Sequence, residues 1–310
     1  MPERPEPATH AAIGPLFAVL GVLGFSFKAI LVKLAYLAHP VDPVTLLAWR
    51  MIYAAPFFAV MALWAERSAA AKAMTMRDVA ALVALGFVGY YLSSYADFAG
   101  LQYISASLER LILFTYPTVV VLLSALVYRK PVTGRTLAAL LLCYGGVVLV
   151  FANDLRVAPR GGDVVLGGVL VFASAALYAV YLVFAAPVIQ RLGSLRFIAW
   201  AMLASTVFVF AQFALTHPLS ALAVPPRVHA LSLAMAVFST VLPTWLMAEA
   251  LKRIGANRAA LVGSLGPVFT IALGFLLLDE PLHPIQFAGV ALVLAGVWQV
   301  TNRPSVVRPA

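Results

Sequence analysis

The chain has 310 residues, 63% of them hydrophobic and 11% charged, with a mean hydropathy of +0.99. Soluble domains run at roughly 45 to 50% apolar and about 25% charged, so a bilayer is the expected solvent. A net charge of +9 would suggest phosphate backbones in a soluble protein. Here Lys and Arg fill short gaps between apolar runs with no interleaved aromatics, so membrane orientation explains them and no nucleic-acid partner is expected.

Residues 1–12, rich in Pro and charge, read as a disordered cytoplasmic lead-in without a signal-peptide pattern. Ten apolar segments follow, at about 14–36, 43–65, 79–101, 106–127, 133–152, 164–186, 194–215, 228–250, 257–278 and 283–301. Each is near the ~20 residues that cross a hydrocarbon core. Helices alone satisfy their own backbone in lipid at that length. The expected fold class is therefore an all-α integral membrane protein with ten transmembrane helices. Fourteen Lys and Arg fall on the side of the N-terminus and three (Arg156, Arg160, Arg227) on the other, which places both termini in the cytoplasm. The single cysteine, Cys143, lies inside an apolar run. No disulfide, zinc pattern, metal or cofactor is expected.

An offset of 150 residues lays Leu101, Ile104, Ala106, Leu111, Pro117, Leu123, Leu126 and Pro131 on Leu251, Ile254, Ala256, Leu261, Pro267, Leu273, Leu276 and Pro281. The same unit occurs twice. With five helices per copy, an odd number, the second copy enters the membrane inverted, and the charges before the last proline switch accordingly from Arg129-Lys130 to Asp279-Glu280. Inverted repeats of this kind mark transporters that exchange access around a midplane site, the alternative being an ancient duplication without mechanistic meaning.

A charge at mid-bilayer costs roughly 2.5 to 3.5 kcal/mol and is a functional candidate by default. Lys28, near the centre of helix 1, shares a face with Gly21 and Phe25, and an offset of 153 relates that face to Ser174, Tyr178 and Tyr181 in helix 6. Lys28 can bind a substrate carboxylate or pair structurally with a neighbouring acid. Helix 3 carries Tyr90, Ser94 and Asp97 at i, i+4 and i+7, with Thr240, Thr244 and Met247 as its repeat partner in helix 8. Asp97 lies at a depth similar to Lys33, Arg50, Glu109 and Arg110. These five charges read as an ion-pair network or outer gate, the alternative being side chains that snorkel to the headgroups.

Pro117 and Pro267 remove an amide donor within their helices, leaving the carbonyls of Leu113 and Gly263 to bind substrate or to mark a hinge or an ordinary kink. Tyr116 and Gly266 stand beside them. Substrate-pathway candidates are thus Lys28, Tyr90, Ser94, Tyr116, Tyr178, Tyr181 and Thr244. Tyr91, Tyr95, Tyr103 and Trp245 fit an interfacial belt better, and Gly145, Gly146, Gly289 and Gly296 read as helix-packing positions. A membrane enzyme is the rival reading. Against it, the five histidines lie in tails, loops or helix ends, and no HExxH occurs. A passive channel is a further rival.

Leu47-Ala48-Trp49-Arg50, Pro117 and Pro267, and the run Gly266-Pro267 through Leu278-Asp279-Glu280-Pro281 to Gly289 and Gly296 together resemble the EamA-type members of the drug/metabolite transporter superfamily. The resemblance spans about 14–301 and suggests the YddG-type aromatic amino acid exporters as the nearest subgroup. Lys130 and Phe25 depart from the family pattern, which usually has Glu and commonly Trp there. The resemblance implies residues 13–152 and 164–302 as two EamA-like five-helix repeats, joined by a periplasmic linker at 153–163, with a cytoplasmic tail at 303–310. It further implies a cavity lined by helices 1, 3, 4, 6, 8 and 9, and a non-enzymatic, multi-pass protein of the bacterial inner membrane exporting amino acids or related small metabolites, or drugs. Expected partners are that small-molecule substrate and membrane lipid. The expected state is a monomer, with a dimer as the alternative.

Overall fold

The computed structural model describes residues 8–67, 73–127, 133–157, 161–263 and 265–301. The N-terminal lead-in, Lys72, Arg129, Lys130, Pro131, Arg160, Arg303 and Arg308 lie outside, wholly or in part. All described elements are helical: α1 (Ala8–Ala38), α2 (Pro43–Glu66), α3 (Met76–Leu85), α4 (Ser93–Gly100), α5 (Ala106–Leu113), α6 (Tyr116–Val127), α7 (Gly134–Val157), α8 (Gly161–Leu192), α9 (Ser194–Thr216), α10 (Pro226–Ala236), α11 (Leu242–Gly263), α12 (Gly266–Leu278) and α13 (Pro284–Thr301). Among the described residues eight helices are long and apolar enough to cross a membrane, and two shorter apolar ones, Gly266–Leu278 and Pro284–Gln299, follow them.

Two wide π turns interrupt these helices. Gly86–Leu92 joins α3 to α4, and Val237–Val241 joins α10 to α11. They fall at the same place under the 150-residue offset. Nothing in the apolar periodicity announces a π turn, which adds one residue to the ring of a hydrogen bond and often accompanies functional sites.

Helix pairing follows a reciprocal pattern. α1 packs on α11, and α4 packs on α8; α2 packs on α9, and α7 on α13. Exchanging the two halves of the chain leaves this pattern unchanged. Small residues permit the closest approaches. A Cβ on Gly146 would stand 2.5 Å from the carbonyl oxygen of Gly289, and one on Gly296 would stand 2.5 Å from Cys143 Sγ. These two, with Gly289, act as the expected packing positions between α7 and α13. Gly145 meets nothing within 4 Å, so packing does not require it.

The prolines differ from expectation. Instead of sitting within a continuous helix, Pro117 and Pro267 are the second residues of α6 and α12. The chain breaks before each: Thr115 N–H donates to Ile112 O, and Leu265 N–H to Val262 O, in short turns. In a first turn the missing proline donor is no loss, which explains why proline is tolerated at this depth. One expected boundary is also displaced. The apolar pattern separates segments 8 and 9 at 250–257, yet α11 continues to Gly263. The first half can stop there because Ser105 caps α5 by accepting from Leu108 N–H at 3.1 Å; its counterpart under the offset is Gly255, which has no side chain to cap with.

Candidate functional site

Buried charge concentrates where α1, α4 and α5 meet. α1 is apolar on most sides, and Lys28 turns to the neighbouring helices. Its Nζ lies 2.6 Å from Asp97 Oδ2 and 3.3 Å from Glu109 Oε1. The lysine side chain keeps 21% exposure, whereas those of Asp97 and Glu109 keep 2% and 0%. The ammonium is the reachable member of the triad, with both acids behind it. Lys28 is the cation within 4 Å of both acids among the described residues, and the two acids also interact with each other. Carboxylates so buried are costly unless paired.

Two guanidinium groups flank the triad without closing ion pairs on it. Arg50, buried on α2, donates to Ser94 Oγ at 3.2 Å, stacks 4.9 Å above the Phe98 ring and lies in electrostatic range of Asp97. Arg110 donates through Nε to Thr270 Oγ1 at 2.9 Å and through a terminal nitrogen to Phe25 O at 2.5 Å, tying α5 to α12 and α1. It also lies in electrostatic range of Glu109. Counted formally, three cations therefore surround two carboxylates, an excess of one positive charge.

Lys33 stands apart from the five-charge network expected of the sequence. It lines an open cavity of about 390 Å³ together with Asp154, Glu280, His283 and Gln286. The reason is angular: five residues along α1 turn a side chain by about 140° relative to Lys28, so the two lysines address different neighbours.

A second cluster is neutral. Tyr90 sits in the first π turn, and its hydroxyl shares a 2.8 Å hydrogen bond with that of Tyr181 on α8. The Tyr178 ring stacks on Tyr181 at 5.5 Å and meets Tyr116 edge-on at 5.2 Å. Gly89 makes this approach possible, since a Cβ there would stand 2.3 Å from the Tyr181 ring. Tyr90 and Asp97 are seven residues apart, about 10 Å along the wall, so the phenols and the charges occupy successive levels of it. Ser94 accepts from Arg50 instead of standing free. Thr244 donates to Thr240 O in the preceding π turn.

Sequence reasoning missed Glu280, treated as a topology marker only. Asp279, at φ 53°, ends α12 in the left-handed region and turns the chain. Glu280 then accepts from Ala106 N–H at 2.8 Å, from Ser107 N–H at 3.3 Å and from Ser107 Oγ at 2.8 Å. A carboxylate from the second half thus caps the first turn of α5, where free N–H groups and the helix dipole favour negative charge. The only advance signal was an acid next to a proline at a helix end. At the other end of the bundle, Glu66 accepts from Arg196 and Trp200, and Asp78 pairs with Arg191.

The model of the EamA-like transporter family matches residues 12–152 and again 165–302. The uncharacterized transporter YcbK of Bacillus subtilis is 31% identical over 95% of this chain and 96% of its own length. A second uncharacterized transporter of that organism, YyaM, is 24% identical over 89% and 90%. One crystal structure superposes with a TM-score of 0.62 at 17% identity, covering 92% of this chain and 95% of that one, a likeness of fold alone. Multi-pass membrane architecture, paired apolar helices and a match over both halves lead to one conclusion: the chain belongs to the EamA-like transporter family.

Proposed function

We propose that the protein exports amino acids or similarly small amphiphilic metabolites across a bacterial inner membrane, by alternating access between two five-helix halves of opposite orientation with both termini cytoplasmic. The observation that carries the substrate class is the charge count at Lys28. Three cations face two carboxylates, the accessible group is the ammonium, and a ligand carboxylate would supply the missing negative charge. The tyrosine cluster offers apolar ring surface about 10 Å away, which supports a side chain of some size, aromatic ones included. An aromatic substrate would agree with the YddG-type resemblance. Support for the two-half mechanism comes from the reciprocal helix pairing and from π turns at equivalent positions.

The experiment is protein-dependent flux in proteoliposomes loaded with a panel of radiolabelled amino acids and one cationic drug. Saturable movement of at least one amino acid is expected. Movement of the drug alone would replace this substrate class with multidrug export, and flux that neither saturates nor counterflows would replace the carrier with a channel.

A further inference from the structure

The cavity at the far end of α1 has no part in the site just described. Lys33, Asp154 and Glu280 line it, with Asn153, Ser105, His283 and Gln286 adding polar surface. Its volume of about 390 Å³ is within the range of small-ligand sites. Lys33 makes no ion pair within 4 Å among the described residues, although both acids lie in electrostatic range of it. Asp154 accepts from Ser105 Oγ through Oδ2 at 2.7 Å. Glu280 is engaged with the first turn of α5.

The charge balance here is the reverse of that at Lys28. One lysine faces two carboxylates, so the outer cavity is short of a positive charge, while the inner cluster is short of a negative one. The two lysines are five residues apart on one helix, about 7.5 Å along its axis. A plain carboxylic acid suits the inner cluster and is repelled at the outer cavity. A plain amine meets the opposite fate, and a zwitterion satisfies both.

We propose that the cavity lined by Lys33, Asp154 and Glu280 is a second ligand site on the transport route, and that it selects zwitterions by holding the carboxylate on Lys33 and the ammonium on Asp154 and Glu280. The inference rests on the transport reading above and adds a selective step to it. It also gives the Glu280 cap a second role, because an ammonium that binds Glu280 competes with the N–H groups of α5 for the same oxygens.

Equilibrium binding of radiolabelled L-phenylalanine to the purified full chain in detergent tests this, with phenethylamine and 3-phenylpropionate as competitors. The wild type is expected to bind about two ligands per chain, one at each site. Phenethylamine should displace mainly the outer ligand and 3-phenylpropionate mainly the inner. Lys33→Met and the milder Asp154→Asn should each weaken the outer site by more than about tenfold, with the inner one intact and thermal unfolding near that of the wild type. Lys28→Met should do the converse. A single wild-type site that neither outer variant shifts would overturn the proposal while leaving transport standing. Absence of both phenylalanine binding and amino-acid flux would overturn the two readings together.

Discussion

Lys28 and Tyr181 occupy equivalent places in the two halves under the 153-residue offset, yet one is held by two buried acids and the other by a phenol. Each completes a cluster on the same wall. At the tyrosine level every hydroxyl or ring meets another of its kind, and the group is neutral, so it contributes shape and apolar area. At the lysine level the parts do not cancel, and the accessible member carries the excess charge. The difference teaches which half of a pseudo-symmetric pair to read for substrate chemistry: the one whose electrostatics are incomplete.

Breaking the charged level should have the largest effect. Lys28→Ala removes the ion pairs that Asp97 and Glu109 make within 4 Å among the described residues and leaves them only the more distant guanidinium groups, and losing one partner of such a buried set costs about 3 to 5 kcal/mol. A lower thermal unfolding midpoint in detergent checks it, and adding Asp97→Asn should restore part of the loss, because it removes one of two neighbouring buried acids left without a close ion pair. The tyrosine level should break by steric means. Gly89→Ala drives a methyl group into Tyr181 and should cost about 1 to 3 kcal/mol, reducing flux of aromatic amino acids more than that of alanine. Glu280→Ala removes the acceptor for the first turn of α5 and should cost about 1 to 2 kcal/mol, whereas Glu280→Gln retains an acceptor and should lose less, both read by thermal unfolding. Tyr181→Phe should be the mildest, at about 1 kcal/mol for one hydrogen bond. If its flux fell as far as that of Lys28→Ala, the division between a chemical level and a shape level would be wrong.

Helix class was readable from the chain, and Lys28, Asp97 and Glu109 stood out as candidates, since a bilayer makes every intramembrane charge conspicuous. Their partners were not. Whether Asp97 meets Lys28 or Lys33 depends on how far α1 is rotated in the bundle, and the surrounding apolar residues of α1 leave that angle open. The π turns were hidden for a related reason, as a one-residue change in helical ring size scarcely alters a pattern that is apolar on all sides. Glu280 was out of reach because its acceptor role joins residues 174 positions apart. Local sequence near Ala106 reveals the Ser105 cap but not the acid that arrives from the other half. Pro117 and Pro267 drew attention correctly to two breaks, though their position in a first turn follows from the Phe114–Thr115 and Leu265 turns that precede them.

The central claim is that the Lys28 ammonium receives the substrate carboxylate. Counterflow of L-phenylalanine into proteoliposomes, compared between wild type and a correctly inserted Lys28→Ala/Asp97→Asn chain, tests it most directly. The account predicts a loss of more than about tenfold in the variant at equal protein density. Undiminished counterflow would contradict it.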